Sequence, residues 1–179
     1  MKIITFDEIS STNDYLKDHF NKYNSFTIVK TNYQNKGRGQ FDRVWNSEKN
    51  KNILFSILLK DISINKIETI KNIINYSLLT FLNQYNIKGI FKEPNDILVN
   101  NKKILGILIE TKTLNIKYYE YVIIGIGINV NQTNFNNFNA TSFKLLNKTN
   151  YDINTLFNEL IKTINDNLIK YYKKKDFNI

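Results

Sequence analysis

The run FKEPNDILVNNKKILGILIETKTLNIK, residues 91 to 117, decides the fold. Apolar stretches near 97 to 99 and 104 to 110 are joined by VNNKK, and a third, near 118 to 130, follows TKTLNIK. Turns this short hold no crossover helix, so successive strands must be antiparallel. A further strand-like run near 88 to 92 precedes them. Pro94-Asn95-Asp96 between the runs carries turn chemistry, because proline presets φ and Asn or Asp bond their own backbone. Upstream, residues 27 to 34 (TIVKTNYQ) and 53 to 59 (ILFSILL) read as strands, the second apolar enough to be buried on both faces.

Helices enclose this pattern. Ile67, Ile70, Ile74, Leu78 and Leu82 recur at helical spacing and predict an amphipathic helix over 64 to 85. A second runs from Asp152, its N-cap, to about residue 173, with Ile153, Leu156, Phe157, Leu160, Ile161, Ile164, Leu168 and Ile169 as its buried stripe. Ser11 and Asp14 have capping-box spacing, which starts a short helix near Thr12 with Tyr15, Leu16 and Phe20 on one face. Helices with a largely antiparallel sheet make an α+β domain. No internal repeat or Pro/Ser-rich linker divides the chain, and the Asn-rich segment 129 to 139 reads as a loop.

At 179 residues, one domain can bury roughly 70% of the surface its unfolded chain exposes, without a covalent staple. The absence of cysteine excludes disulfides and thiolate metal sites, and a single histidine, His19, argues against His-based zinc or Ser-His catalysis. The N-terminus reaches an acidic residue by Asp7 without a signal-like apolar core, and no segment has ~18 uninterrupted apolar residues, so a cytoplasmic protein with no membrane partner is expected. A formal charge of +9 invites an anionic partner: nucleic acid, nucleotide or acidic protein. Part of that excess, Lys173 to Lys175, reads as a solvated helix end.

About eighteen residues without strand or helix pattern separate the strands ending at Gln34 and starting at Ile53, a length uncommon inside a compact domain unless it is functional or disordered. They hold Gly37-Arg38-Gly39, Arg43 and the only tryptophan, Trp45. Two glycines one apart permit left-handed turns that gather N–H groups into an anion nest, with Arg38 and Arg43 adding forked bonds to phosphate or carboxylate. Trp45 offers a face for a nucleobase. The competing reading is a flexible basic turn. GIGIN at 125 to 129 lacks the third glycine of a dinucleotide fingerprint, so its glycines mark close approach of a ligand or of a neighbouring backbone. Lys103 lies either at the sheet margin or in a pocket.

Four motifs, SSTND (10 to 14), QNKGRGQFDRVW (34 to 45), KEPNDILVNNKKILGILIE (92 to 110) and IGIGINVN (124 to 131), occur in the order and at about the spacing of biotin protein ligases, which the chain resembles over most of 8 to 145. The resemblance implies a fold similar to class II aminoacyl-tRNA synthetases, with a mixed, mostly antiparallel sheet backed by helices. It implies ATP with Mg²⁺, formation of biotinyl-5′-AMP, and transfer of biotin to a lysine of the biotin carboxyl carrier protein of acetyl-CoA carboxylase. Ser11, Thr12, Asn13, Gln34 and Gly127 would bind biotin, and Arg38, Gly39 and Gln40 would belong to the loop that closes over the adenylate. Arg43, Trp45, Lys92, Asn95, Asp96 and Asn129 would serve ATP, with Asp96 a candidate near the metal, and Lys103 and Arg38 would be catalytic. The resemblance also leaves room for a homodimer. Three positions depart from the pattern: Gln40 where many relatives carry Arg, Asp42 where a third loop glycine is common, and Glu93 where Trp often stands.

The N-terminal DNA-binding wing and the small C-terminal barrel of larger members are not recognisable, so no DNA partner is expected. A lipoate protein ligase of the same fold and a basic nucleic-acid-binding module remain the competing readings.

Overall fold

The computed structural model describes residues 2–41, 43–136 and 138–174, with side chains through 170. Asp42, Lys175 and the side chains of Lys173 and Lys174 therefore lie outside the described residues. The strands are β1 (Lys2–Ile9), β2 (Thr27–Gln34), β3 (Asn52–Ser63), β4 (Ile90–Lys92), β5 (Asp96–Val99), β6 (Lys102–Thr113) and β7 (Tyr118–Asn129). The helices are α1 (Thr12–His19), α2 (Ile67–Gln84), α3 (Phe143–Asn147) and α4 (Ile153–Lys174). One seven-stranded sheet has the order β1-β2-β3-β7-β6-β5-β4. Every pair is antiparallel except β1 with β2.

That parallel pair is the feature sequence patterning did not reveal. β1 is an edge strand whose residues are all exposed or half-buried, so its apolar alternation is weak; α1 is the crossover that a parallel pair needs. The predicted strands and both long helices are present. Asp152 caps α4 by accepting from the Thr155 N–H at 2.7 Å. Ile169, placed in the buried stripe of α4, is 43% exposed, because its neighbour Leu168, 7% exposed, takes the inward position on that turn. The five-residue α3, capped by Ser142, interrupts what otherwise reads as loop.

Period-two alternation gives the sheet two unlike faces. On one, Ile53, Phe55, Ile57 and Leu59 of β3 and Val122, Ile124, Ile126 and Ile128 of β7 join α2 and α4 in the main core. On the other, Leu58, Tyr121 and Ile123 pack with Leu16 of α1, and beyond them Gly106, Gly125 and Gly127 leave the face low between Leu54 and Leu108. Ser56 pairs with Gly125, Leu54 with Gly127, and Gly106 with Gly127 across β3, β7 and β6. The result is a trough floored by backbone. Among the described residues no helix is long and apolar enough to cross a membrane.

Phe157 of α4 is 2% exposed, with its ring edge-on to Phe55 at 5.4 Å between centroids. Phe157→Ala should destabilise the fold by about 3–5 kcal/mol, read as a lower urea midpoint at unchanged slope.

Candidate active site

The trough is covered by the long loop after β2. Gly39 N–H donates to Arg43 C=O at 2.7 Å and Trp45 N–H to Gly37 C=O at 3.0 Å, so the loop folds back as a small hairpin. The expected nest is not formed: no described glycine has positive φ, and Phe41 takes the left-handed position instead, at φ 53°. Gly37 is needed for space, since a Cβ there would lie 2.5 Å from Trp45 O, whereas Gly39 leaves ordinary room. With its N–H used inside the hairpin, Gly39 is not available to gather an anion.

The hairpin lowers the Trp45 indole onto the trough. A Cβ on Gly127 would meet Trp45 Cε2 and Cζ2 at 2.6 Å, and one on Gly106 would meet Cζ3 at 2.8 Å. Both glycines therefore admit a side chain from the flap. Gly125 serves Asn13 in the same way, its missing Cβ falling on the Asn13 amide. The indole Nε1 is buried and meets no acceptor among the described residues.

Trp45 divides the space into two cavities. The narrow one, about 40 Å³, lies between Ser11, Thr12, Asn13, Gln34, Arg38 and Lys103 over Gly106, Gly125 and Gly127. The wide one, about 700 Å³, is bounded by Gly39, Gln40, Arg43, Trp45, Asn95, Asp96, Lys103 and Asn129, with Gln132, Phe135 and Phe138 from the Asn-rich loop. Lys103 lines both, as do Gly39, Trp45 and Asn95. Of the residues expected from sequence, only Lys92 falls outside both linings, exposed on the outermost strand.

Lys103 points into the cavities and not to the margin. A register shift between β5 and β6 pairs Leu98 with Lys103 but Ile97 with Leu105, swinging the lysine over Gly106. Its Nζ is 2.6 Å from Asp96 Oδ1, outside hydrogen-bond alignment, so the contact is an ion pair. The same ammonium is 5.3 Å from the centre of the Trp45 ring. Asn129 bridges neighbouring chain segments by donating Nδ2–H to Thr141 C=O at 3.1 Å and Lys103 C=O at 3.4 Å.

The closed end of the narrow cavity is a polar network. Thr12 N–H donates to Gln34 Oε1 at 2.8 Å, which turns the Gln34 Nε2 donors the other way. Asn13 Nδ2 donates to Glu110 Oε2 at 2.8 Å, so its Oδ1 faces Ser56 and accepts from Ser56 Oγ at 2.5 Å. Ser56 gives its one hydroxyl proton to Asn13, so the single Thr12 hydroxyl proton is shared between Ser56 Oγ at 2.6 Å and Gln34 Oε1 at 3.1 Å. Protons thus run one way, Thr12 to Ser56 to Asn13 to Glu110. Thr12, Asn13 and Ser56 are each at most 3% exposed. Sequence reasoning missed Ser56 and Glu110; a lone serine in the apolar run ILFSILL was the signal for the first.

Arg38 closes the network from the flap. Its Nη2 contacts Glu110 Oε2 at 2.8 Å and Asp14 Oδ1 at 2.6 Å, and its Nε contacts Asp14 Oδ2 at 3.1 Å. Burial alone would lower the guanidinium pKa, but the bonds to Glu110 and Asp14 outweigh it and raise it. Ser11 caps α1 through Asp14 N–H at 3.3 Å, so the Asp14 carboxylate is free to face Arg38. His19 is absorbed structurally, stacked on Tyr15 with Nδ1 2.9 Å from the Tyr15 carbonyl. No group of three or more acidic or His side chains among the described residues is placed to hold a metal.

Residues 5–129 match the model of the biotin/lipoate A/B protein ligase family. The chain belongs to that family. A biotin protein ligase of Aquifex aeolicus, solved with biotin and ATP, superposes with a TM-score of 0.80 at 29% identity, covering 97% of this chain and 72% of that one. The Leishmania major biotin protein ligase in complex with biotinyl-5-AMP shares the fold, with a TM-score of 0.76 at 22% identity over 91% of this chain and 73% of that one. The bifunctional ligase/repressor BirA of Bacillus subtilis is 37% identical over 108 residues, 59% of this chain and 33% of its own length. The chain thus spans about a third of that relative. For a member of this family the mixed α+β architecture is as expected.

Because Trp45 is the only tryptophan, its emission reports the flap directly. Gly127→Ala should push the indole off the trough, giving a red-shifted emission and stronger acrylamide quenching without loss of the folded far-UV spectrum.

Proposed function

We propose that this chain is the catalytic domain of an ATP-dependent biotin protein ligase. The observation that carries this reading is the buried, directional polar network at the closed end of the narrow cavity, set against a backbone floor. A cyclic urea offers one carbonyl and two N–H groups: Gln34 Nε2 suits the carbonyl, and the free lone pairs of Thr12 Oγ1 and the second lone pair of Asn13 Oδ1 suit the N–H groups. A dithiolane has neither, and would leave these buried groups unpaired, a mismatch that polar sites reject strongly. Biotin is therefore favoured over lipoate.

In the first step a biotin carboxylate oxygen attacks the α-phosphorus of ATP, forming the mixed anhydride biotinyl-5′-AMP as pyrophosphate leaves. In the second the ε-amine of an acceptor lysine attacks the acyl carbon, the N–C bond forms and AMP leaves with the bonding pair. Both reactants of the first step are anionic, so fixed positive charge where they meet lowers the barrier. Lys103, at the junction of the two cavities, is suited to that point, with Asp96 holding its ammonium in place. Arg43 and Gln40 on the flap, with Asn95 and Asn129, suit the nucleotide in the wide cavity, and Trp45 separates it from the biotin chain. Side-by-side placement supplies much of the remaining acceleration.

Mg²⁺ would arrive with the nucleotide. Asp96 is the carboxylate among the described lining residues of the wide cavity, and its pairing with Lys103 suits it to the hydration shell of a phosphate-held ion. The acceptor in this reading is a lysine of a biotin carboxyl carrier protein, and the protein acts in the cytoplasm.

Incubation with ATP, Mg²⁺, biotin and an apo carrier domain should release pyrophosphate and label the carrier. Lipoate should compete poorly; equal or better adenylation of lipoate sinks the biotin assignment. Lys103→Ala should lower biotin-dependent pyrophosphate release by about 10²- to 10³-fold with the melting temperature kept.

A further inference from the structure

We propose that Arg38 is a latch that fastens the flap and orients Asn13, and that it does not ligand the reacting anions. The charge count around it is decisive. One guanidinium faces two carboxylates, Asp14 and Glu110, at 2.6 and 2.8 Å, and the next cation, Lys17, is 4.0 Å from Glu110. Arg38 with its two acids carries net negative charge, and Lys17 only brings the group to neutral. Such a cluster offers an incoming phosphate or carboxylate no net attraction, and the fork of Arg38 is already committed through Nε and Nη2.

What the cluster does offer is connection between three elements. Asp14 belongs to α1, Glu110 to β6 and Arg38 to the flap. Glu110 Oε2 accepts from Arg38 Nη2 and from Asn13 Nδ2, each at 2.8 Å. Ionised Glu110, held by Arg38, is the terminal acceptor that sets the direction of the proton chain through Ser56 to Thr12. Without it only the longer 3.4 Å bond from Asn13 Nδ2 to Leu108 C=O is left to keep Oδ1 toward Ser56. The latch therefore links flap position, and so the Trp45 indole, to the orientation of the groups at the head-group end. An exposed ion pair would contribute little, but these side chains are only 21–38% exposed and share a forked geometry.

This inference rests on the biotin reading only for its kinetic arm; its fluorescence arm needs no substrate. In the ligand-free protein, Arg38→Met, Glu110→Gln and Asp14→Asn should each red-shift Trp45 emission and raise its quenching by acrylamide. Arg38→Met combined with Glu110→Gln should move them no further than either change alone. In the kinetic arm each single variant should raise KM for biotin about tenfold while keeping kcat, the size of a lost charge-assisted bond. Arg38→Lys should recover only part of the loss, because an ammonium lacks the fork. Unchanged emission in Arg38→Met overturns the latch. So does a fall of about 100-fold in kcat for Arg38→Met with normal kinetics for Glu110→Gln, the pattern of a direct charge on the reacting groups. Asp14→Asn, on α1, carries the test should Glu110→Gln, at the more buried end of the cluster, fail to fold.

Discussion

Three glycines, Gly106, Gly125 and Gly127, lie side by side on one face of β6 and β7, and the absence of their β-carbons is the constraint on which the site depends. In a sheet, opposite residues bring their Cβ atoms within about 4.5–5.5 Å, so a face carrying side chains there would be filled by the sheet itself. Leaving it bare lets material from elsewhere descend to the backbone. Trp45 comes from the flap, Asn13 from α1, and Lys103 folds back over Gly106 through the β5–β6 irregularity. Each then occupies a layer that its own element could not otherwise reach.

The opposite face of the same strands is arranged for stability. Ile53, Phe55, Ile57, Ile124, Ile126 and Ile128 meet α2 and α4 in a continuous apolar core. Strand alternation thus divides the work: every second residue of β3 and β7 joins the main core, while of those between, Leu58, Tyr121 and Ile123 pack under α1 and Ser56, Gly125 and Gly127 shape the cleft. Ser56 sits at this boundary. It is fully buried, yet its hydroxyl belongs to the polar chain from Thr12 to Asn13.

Charge is separated as carefully as polarity. The flap brings two arginines, but Arg38 turns toward α1 and β6, where acids neutralise it, while Arg43 lines the wide cavity. Lys103 stands between the cavities with a single carboxylate beside it. The net charge of +9 therefore says little about the cleft, where Arg38 and Lys103 each stand beside local acids.

Much of this was legible from residue order. Short turns made the central strands antiparallel, helical spacing located α2 and α4, and the spacing of Ser11, Gln34, Trp45, Asn95 and Lys103 marked one site. Legibility failed where the cause was not local. β1 is an exposed edge strand with weak alternation, and its parallel partner is set by the crossover helix. Glu110 looked like the polar end of a strand until α1 and the flap converged on it. Gly37 and Gly39 looked alike, yet only Gly37 is crowded by the backbone of Trp45. By itself the sequence determined the central strands and the long helices, because periodicity and turn chemistry act over a few residues. Only the tertiary structure decided which way Lys103 points, what Arg38 binds and what the glycines make room for, because those depend on atoms brought together from distant parts of the chain.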